Sequence, residues 1–291
     1  MTCVKSVSGR ASRSARACLL AAAIAASAPS AASGGPLFGW FEPDVSCSID
    51  PNRGHNASND LTAGKMAAEV FRDARTAALA EAVARNATRE VTALVKHGAN
   101  PNARGEWGLT MLGWAMRRRS PDAFAALLDA GADATVSEHY PSTAMDRDAG
   151  RTVVHYAAMD ENPAYLDMLL AHHVSVDVRT NAGDVPLVDA ILSACDKHFH
   201  RLIAAHANVN AADSSGDTPL HVAAQTNSFE RVIDLLNAGA DPTMRDRIGN
   251  TFQIYLRMTP EKVLNTQART LLAQTDSWLI QHHVPIERRA R

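Results

Sequence analysis

A spacing of 33 residues constrains this chain more than any other feature. Gly216-Asp-Thr-Pro-Leu is preceded, 33 positions earlier, by Gly183-Asp-Val-Pro-Leu and, 66 positions earlier, by Gly150-Arg-Thr-Val-Val-His. Gly249-Asn-Thr follows it at the same step. Leu235-Leu236, Leu202-Ile203 and Leu169-Leu170 keep the same register, and Gly98-Ala-Asn and Gly131-Ala-Asp are also 33 apart. Several positions recurring together mark a repeat architecture, because each unit is too short to bury its own apolar face and needs neighbours stacked on it.

The unit from Asp213 to Arg247 shows what each repeat folds into. Thr218 can cap a helix with its hydroxyl, Pro219 suits the first helical position, where its missing N–H costs nothing, and Gly239 can end the second helix in the left-handed conformation. Leu220, Ala223, Ala224, Val232, Leu235 and Leu236 fall at helical spacing. Thr218-Pro-Leu-His221 with Gly239-Ala-Asp241 resembles the ankyrin repeat family, whose unit is a 33-residue helix–turn–helix. The resemblance implies an all-α ankyrin repeat solenoid of about six helix–turn–helix repeats over residues 74–286, with modified terminal caps. It also implies that His155 and His221 belong to a hydrogen-bond network between repeats and carry no chemistry. The Gly249-Asn-Thr-Phe-Gln stretch followed by Thr259-Pro-Glu is similar to the corresponding part of exported ankyrin repeat proteins of Gram-negative bacteria.

The N-terminus has a different composition. Lys5, Arg10, Arg13 and Arg16 precede the apolar run from Ala17 to Ala26, small residues follow, and the first acidic residue is Glu42. That order is expected of a secretory signal peptide over residues 1–32, cleaved after Ala32, with an apolar run too short to span a bilayer. Residues 33–60 are rich in Gly, Pro, Asp and Ser and form a linker; 61–73 are expected to make a capping helix through Met66, Val70 and Phe71, and 287–291 form a tail. Phe38, Trp40 and Phe41 in the linker either pack on the first repeat or meet a partner. Asn56-Ala-Ser and Asn86-Ala-Thr would be glycosylation sequons in a eukaryotic source.

Export fixes the charge and redox arguments. Without the four basic residues of the leader, the 29 Lys and Arg fall to 25 against 31 acids, so the net charge moves from −2 to −6. A mildly acidic chain is not built for nucleic acid or anionic lipid. No second long apolar run exists, so no membrane insertion is expected. Of four cysteines, Cys3 and Cys18 leave with the leader; Cys47 and Cys195 remain, as one disulfide in an oxidising compartment or as two thiols.

Catalytic signatures are absent from the sequence: no phosphate-cradling Gly-rich loop, Gly-x-Ser-x-Gly, His-Glu-x-x-His or Cys-x-x-Cys occurs. His198-Phe-His200 and His172-His173 lack thiolate or carboxylate partners at metal-ligand spacing, so no metal or cofactor is expected. The function expected is protein binding without catalysis, periplasmic or secreted, by a monomer or a complex with its partner. An inhibitor or immunity protein that blocks a toxin or enzyme is one specific role; a structural adaptor for envelope proteins is the other.

In the family the implied recognition surface is the groove formed by the exposed side of each first helix and the loop tips. Register places Trp114, Arg117 and Arg118 of repeat two there, with Tyr156, Met159 and Asp160 of repeat three and Asp189, Leu192 and Ser193 of repeat four. Trp107 at a loop tip and Tyr140 in an insertion lie toward the same end. The candidate partner-binding residues are therefore Trp107, Trp114, Arg117, Arg118, Tyr140, Tyr156, Asp160 and Asp189, residue types common at interface hot spots. Alternatively, Trp114 and Tyr156 stack on each other between repeats, and Arg117-Arg-Arg119 is a solvated turn. Nine extra residues between Gly131 and Gly150 mark an insertion, a feature that solenoids often place on the binding face. Eleven more lie inside repeat six, where Thr259-Pro260 and Asn265 are expected to start helices.

Overall fold

A computed structural model describes residues 64–138, 150–193 and 195–287. The proposed leader, the linker with Phe38, Trp40 and Phe41, and Asn56, Tyr140 and Cys47 lie outside the described residues. Those that are described form helices joined by turns, with one isolated antiparallel bridge between Arg104 and Thr110. They fall into two compact units divided between Ser214 and Ser215.

The first unit opens with α1 (Ala67–Val70) and continues through four helix pairs: α2 (Ala74–Ala84) and α3 (Thr88–Lys96), α4 (Met111–Arg117) and α5 (Pro121–Asp129), α6 (Val153–Met159) and α7 (Pro163–Ala171), α8 (Pro186–Leu192) and α9 (Asp196–Ala204). The second unit holds α10 (Pro219–Gln225) with α11 (Phe229–Asn237), then α12 (Phe252–Leu256) with α13 (Thr266–Gln281). Helices pack on the partner of their own pair, as in α2 on α3 and α10 on α11, and on the equivalent helix of an adjacent pair, as in α3 on α5, α6 on α8, and α11 on α13.

Local chemistry accounts for these boundaries. The Thr110 and Thr218 hydroxyls accept the backbone N–H three residues on, from Gly113 at 2.9 Å and His221 at 3.4 Å, and Pro stands in the first turn of α5, α7, α8 and α10. The second helix of every pair ends on a left-handed residue. Gly98, Gly131 and Gly239 take it with φ of 88°, 81° and 92°, while His173, His206 and His283 take it at 54°, 58° and 57°. His173 and His206 thus stand one residue past the helix C-caps, at the left-handed position where other repeats carry glycine.

The core is a row of interlocked apolar side chains. In the first unit Leu79, Val83, Leu112, Leu127, Leu166 and Phe199 are buried, and Phe124 meets Tyr165 edge-on with centroids 5.1 Å apart. Leu220, Val232, Leu235, Phe252 and Leu279 serve the second unit.

Two expected elements differ from the structure. The capping helix is one turn long, because Asp73 already starts α2 by accepting Thr76 N–H at 2.8 Å; Val70 and Phe71 are buried but Met66 is exposed. Thr259-Pro260 starts no regular helix: the Thr259 hydroxyl donates to Asn227 Oδ1 at 2.9 Å, and Pro260 is extended with ψ 134°. Only a single 3₁₀ turn follows, Glu261–Val263. Asn265 does cap α13, its Oδ1 accepting Ala268 N–H at 2.7 Å.

Candidate functional site

The side of the first unit where α4, α6 and α8 end contains most of the residues that register assigned to a groove. Their positions in the helix decide which reach solvent. Trp114 does not: its ring is fully buried, its indole N–H donates to Ala80 O at 2.8 Å, and Phe71 meets it edge-on at 5.7 Å. It therefore joins α4 to α2 and is not an exposed anchor. Nor is Tyr156 its ring partner, since the groups on Trp114 are Phe71 and the Arg118 guanidinium, 4.0 Å from the ring centroid.

The arginine run is likewise engaged within the protein. Arg118 donates to Lys65 O at 2.6 Å across the start of the chain's described part. Arg117 approaches Glu138 at 3.8 Å and lies over the Tyr156 ring at 5.8 Å. Arg119 is exposed at a left-handed turn with φ 53°. The solvated-turn reading holds for Arg119, whereas Arg117 reaches toward Tyr156 of repeat three and Arg118 holds the segment that precedes α1.

Two acidic candidates are structural as well. Asp160 is buried at the end of α6 and accepts Asn162 N–H at 2.8 Å, shaping the turn into α7; burial raises its pKa. Asp189 is buried and paired with Arg151 at 2.8 Å. A charge used this way is not available to a partner without first breaking a buried pair. Trp107 is half-buried in a 3₁₀ turn at the loop tip, with the Lys65 ammonium 4.3 Å from its ring, and Glu106 beside it pairs with Lys65 at 3.0 Å.

Beside the exposed Arg119, an apolar line remains accessible on this face. Tyr156 and Met159 on α6 are partly exposed, and Leu192 at the end of α8 is 45% exposed. Register pointed to this face, and Met159 and Leu192 carry more of its accessible surface than Trp114 or Asp189 do.

The histidines expected to form a network do so. His155 Nδ1 accepts the Thr152 N–H at 3.1 Å and meets its hydroxyl at 3.1 Å, and its Nε2–H donates to Asp184 O of the next repeat at 3.2 Å. His221 repeats the pattern with Thr218 and with Asn250 O at 3.2 Å. Burial lowers the pKa of His155 and keeps it neutral, as this bonding requires. Asn86 is used similarly: its amide donates to Asp122 at 2.9 Å and its carbonyl accepts Ala123 N–H at 2.8 Å. Cys195 is disulfide-bonded, at the N-terminus of α9 against His198, whose pKa is pushed down to about 4 by burial. Among the described residues no group of three or more His, Cys, Asp or Glu could hold a metal, and no helix is long and apolar enough to cross a membrane.

Residues 154–246 match the family model described as ankyrin repeats, three copies. The chain is 32% identical over 176 residues to Protein PhlB of Serratia liquefaciens, covering 60% of this chain and 58% of that protein. It is 28% identical over 181 residues to mitochondrial disaggregase of Bos taurus, covering 62% of this chain and 21% of that one. The chain thus spans little more than half of the first relative and about a fifth of the second. Among solved structures it is similar to the ankyrin repeat domain of Bcl-3, a member of the IkappaB protein family, with a TM-score of 0.53 at 23% identity over 80% of this chain and 100% of that one. The fold is an all-α ankyrin repeat solenoid.

Proposed function

We propose that this ankyrin repeat chain is a non-catalytic protein-binding module that works in the periplasm or after secretion, as an inhibitor or immunity protein of a toxin or enzyme. The observation that carries the binding face is the accessible apolar line of Tyr156, Met159 and Leu192 beside the bound-up polar groups of the same face. Tyr156 and Met159, partly exposed one helical turn apart, and Leu192, exposed at the register position of Met159 in the next repeat, are side chains of the kinds that protein interfaces use. Two features support the export reading: the basic, apolar and small-residue order of the leader, and Cys195 in a disulfide, a bond that persists in oxidising compartments. The absence of catalytic signatures from the sequence supports a role that acts by binding alone, as an inhibitor does.

The test is site-specific photo-crosslinking in the producing cell. A photoreactive residue at Met159 or Leu192 should give one discrete adduct, while the same residue at exposed Asp129 on the second helices should give none. Equal adducts from Asp129, or none from either groove position, would remove the groove as the binding face. If the adduct's partner is an enzyme, its activity should fall when the purified chain is added.

A further inference from the structure

Repeat two lacks the histidine on which repeats three and five are closed. In the register of Thr152-Val-Val-His155 and Thr218-Pro-Leu-His221, repeat two reads Thr110-Met-Leu-Gly113, so no imidazole is present. The space is nevertheless filled. A Cβ added to Gly113 would lie 2.0 Å from Glu138 Oε1 and 2.8 Å from its carboxyl carbon.

Glu138 reproduces the bonds of the missing ring in turn. Its Oε1 accepts the Thr110 N–H at 3.0 Å and the Thr110 hydroxyl at 2.7 Å, as His155 Nδ1 meets the Thr152 N–H and hydroxyl. Its backbone N–H donates to Arg151 O at 2.7 Å. Arg151 stands 33 positions before Asp184, whose carbonyl receives His155 Nε2–H, and Asn250, which receives His221, stands 66 after Asp184. Side chain and backbone of one glutamate therefore make the inward and outward connections of the histidine. The residue is fully buried, which a carboxylate tolerates only with such partners.

A second case occurs at the far end of the repeats. Repeat six reads Thr251-Phe-Gln-Ile254, again without histidine, and the Thr251 hydroxyl donates to Glu287 Oε2 at 2.9 Å. Glu287 is held by Arg245 at 2.6 Å and by its own N–H, which donates to Gln253 Oε1 at 2.9 Å.

We propose that Glu138 is a positioning residue that replaces the repeat histidine of repeat two, linking the Thr110 helix cap to Arg151 of repeat three, and that Gly113 is glycine because the carboxylate occupies its side-chain space. Gly113 and Glu138 are then one unit: either substitution alone breaks the closure, and the right pair restores it. The role is independent of what the groove binds.

The experiment is a four-member cycle in the full chain: wild type, Gly113→His, Glu138→Ala and the double variant, with Glu138→Gln as a fifth. Thermal unfolding by circular dichroism and amide exchange at Thr110 are the readouts. Glu138→Ala should lower Tm by about 5 °C or more and speed exchange at the Thr110 amide, since two buried donors lose their acceptor. Gly113→His should lower Tm through its clash with the carboxylate. Joined with Glu138→Ala, the new imidazole should recover at least half of the lost Tm and the slow exchange. Glu138→Gln, which keeps one acceptor oxygen, should stay closer to wild type than Glu138→Ala. Losses that add in the double variant, or a Thr110 amide that exchanges equally slowly without Glu138, would overturn the assignment. If the Glu138→Ala chain fails to fold, exchange in the Gln variant decides: fast exchange there refutes it and slow exchange supports it.

Discussion

Trp114 separates a structural reading of repeat two from an interface reading, and the structure allows the difference to be worked out. Its ring is fully buried between α4 and α2, in edge contact with Phe71 and under the Arg118 guanidinium. Truncating a buried aromatic to alanine costs roughly 3–5 kcal/mol, the transfer term plus the cavity left behind. The bond to Ala80 O adds little, because Ala80 lies inside α2 and its carbonyl keeps a helical role; losing that bond alone costs about 1 kcal/mol. Trp114→Phe should therefore destabilise by about 1–3 kcal/mol and Trp114→Ala by about 4 kcal/mol. For a chain of this size that is a fall in Tm on the order of 10 °C. Urea unfolding followed by circular dichroism at 222 nm reads it directly. A Trp114→Ala chain within 1 kcal/mol of wild type would refute the packing argument and return Trp114 to the binding face.

Two further expectations follow from single groups. His206→Gly should raise stability by up to about 1 kcal/mol, since a left-handed φ of 58° strains a residue with a Cβ and not a glycine; an unchanged or lower urea midpoint refutes this. Acid should destabilise through the histidines: folding depresses the pKa of His198 from 6.5 to about 4 and that of His155 also falls, so their contribution is full above pH 6.5 and is lost as pH drops toward 4. Glu138 acts in the opposite sense, because burial raises its pKa above 4.5 and its contribution declines as pH rises through that higher value. Tm measured from pH 7 to 4 should therefore fall less steeply in His198→Leu than in wild type; equal slopes would sink the assignment.

Most of the fold was legible because the repeat writes the same decision several times. Thr218, Pro219, His221 and Gly239 each state a local geometry, and a 33-residue echo of any one confirms the others. The places that misled are those where one residue does a job that register assigns to a class. Trp114 has groove register, but a tryptophan near the start of a repeat stack can turn inward when a small neighbour such as Ala80 leaves room and offers a carbonyl. Asp189 and Asp160 looked accessible by position, yet pairing with Arg151 and the turn at Asn162 drew both inside. Spacing along a helix gives the direction of a side chain and not how far its neighbours cover it, and at Trp114 it is Phe71 and Arg118 that cover the ring.

The role of Glu138 was hidden for a different reason, and it bears on how degenerate repeats persist. A missing histidine read along the sequence looks like a defect in repeat two, and its substitute stands 25 positions after Gly113. What the fold requires at this point is an acceptor for the threonine cap and a donor toward the next repeat's carbonyl, and imidazole is only one way to supply them. In repeat two a glutamate supplies the acceptor from its side chain and the donor from its backbone, and glycine at position 113 leaves the carboxylate its space. Loss of the histidine is then tolerated wherever the chain that follows can return a carboxylate to the threonine, as Glu287 does for Thr251. It follows that a glycine at the histidine position is a signal in its own right: it announces that something else is lodged there, and the segment that leads into the next repeat is where to look for it.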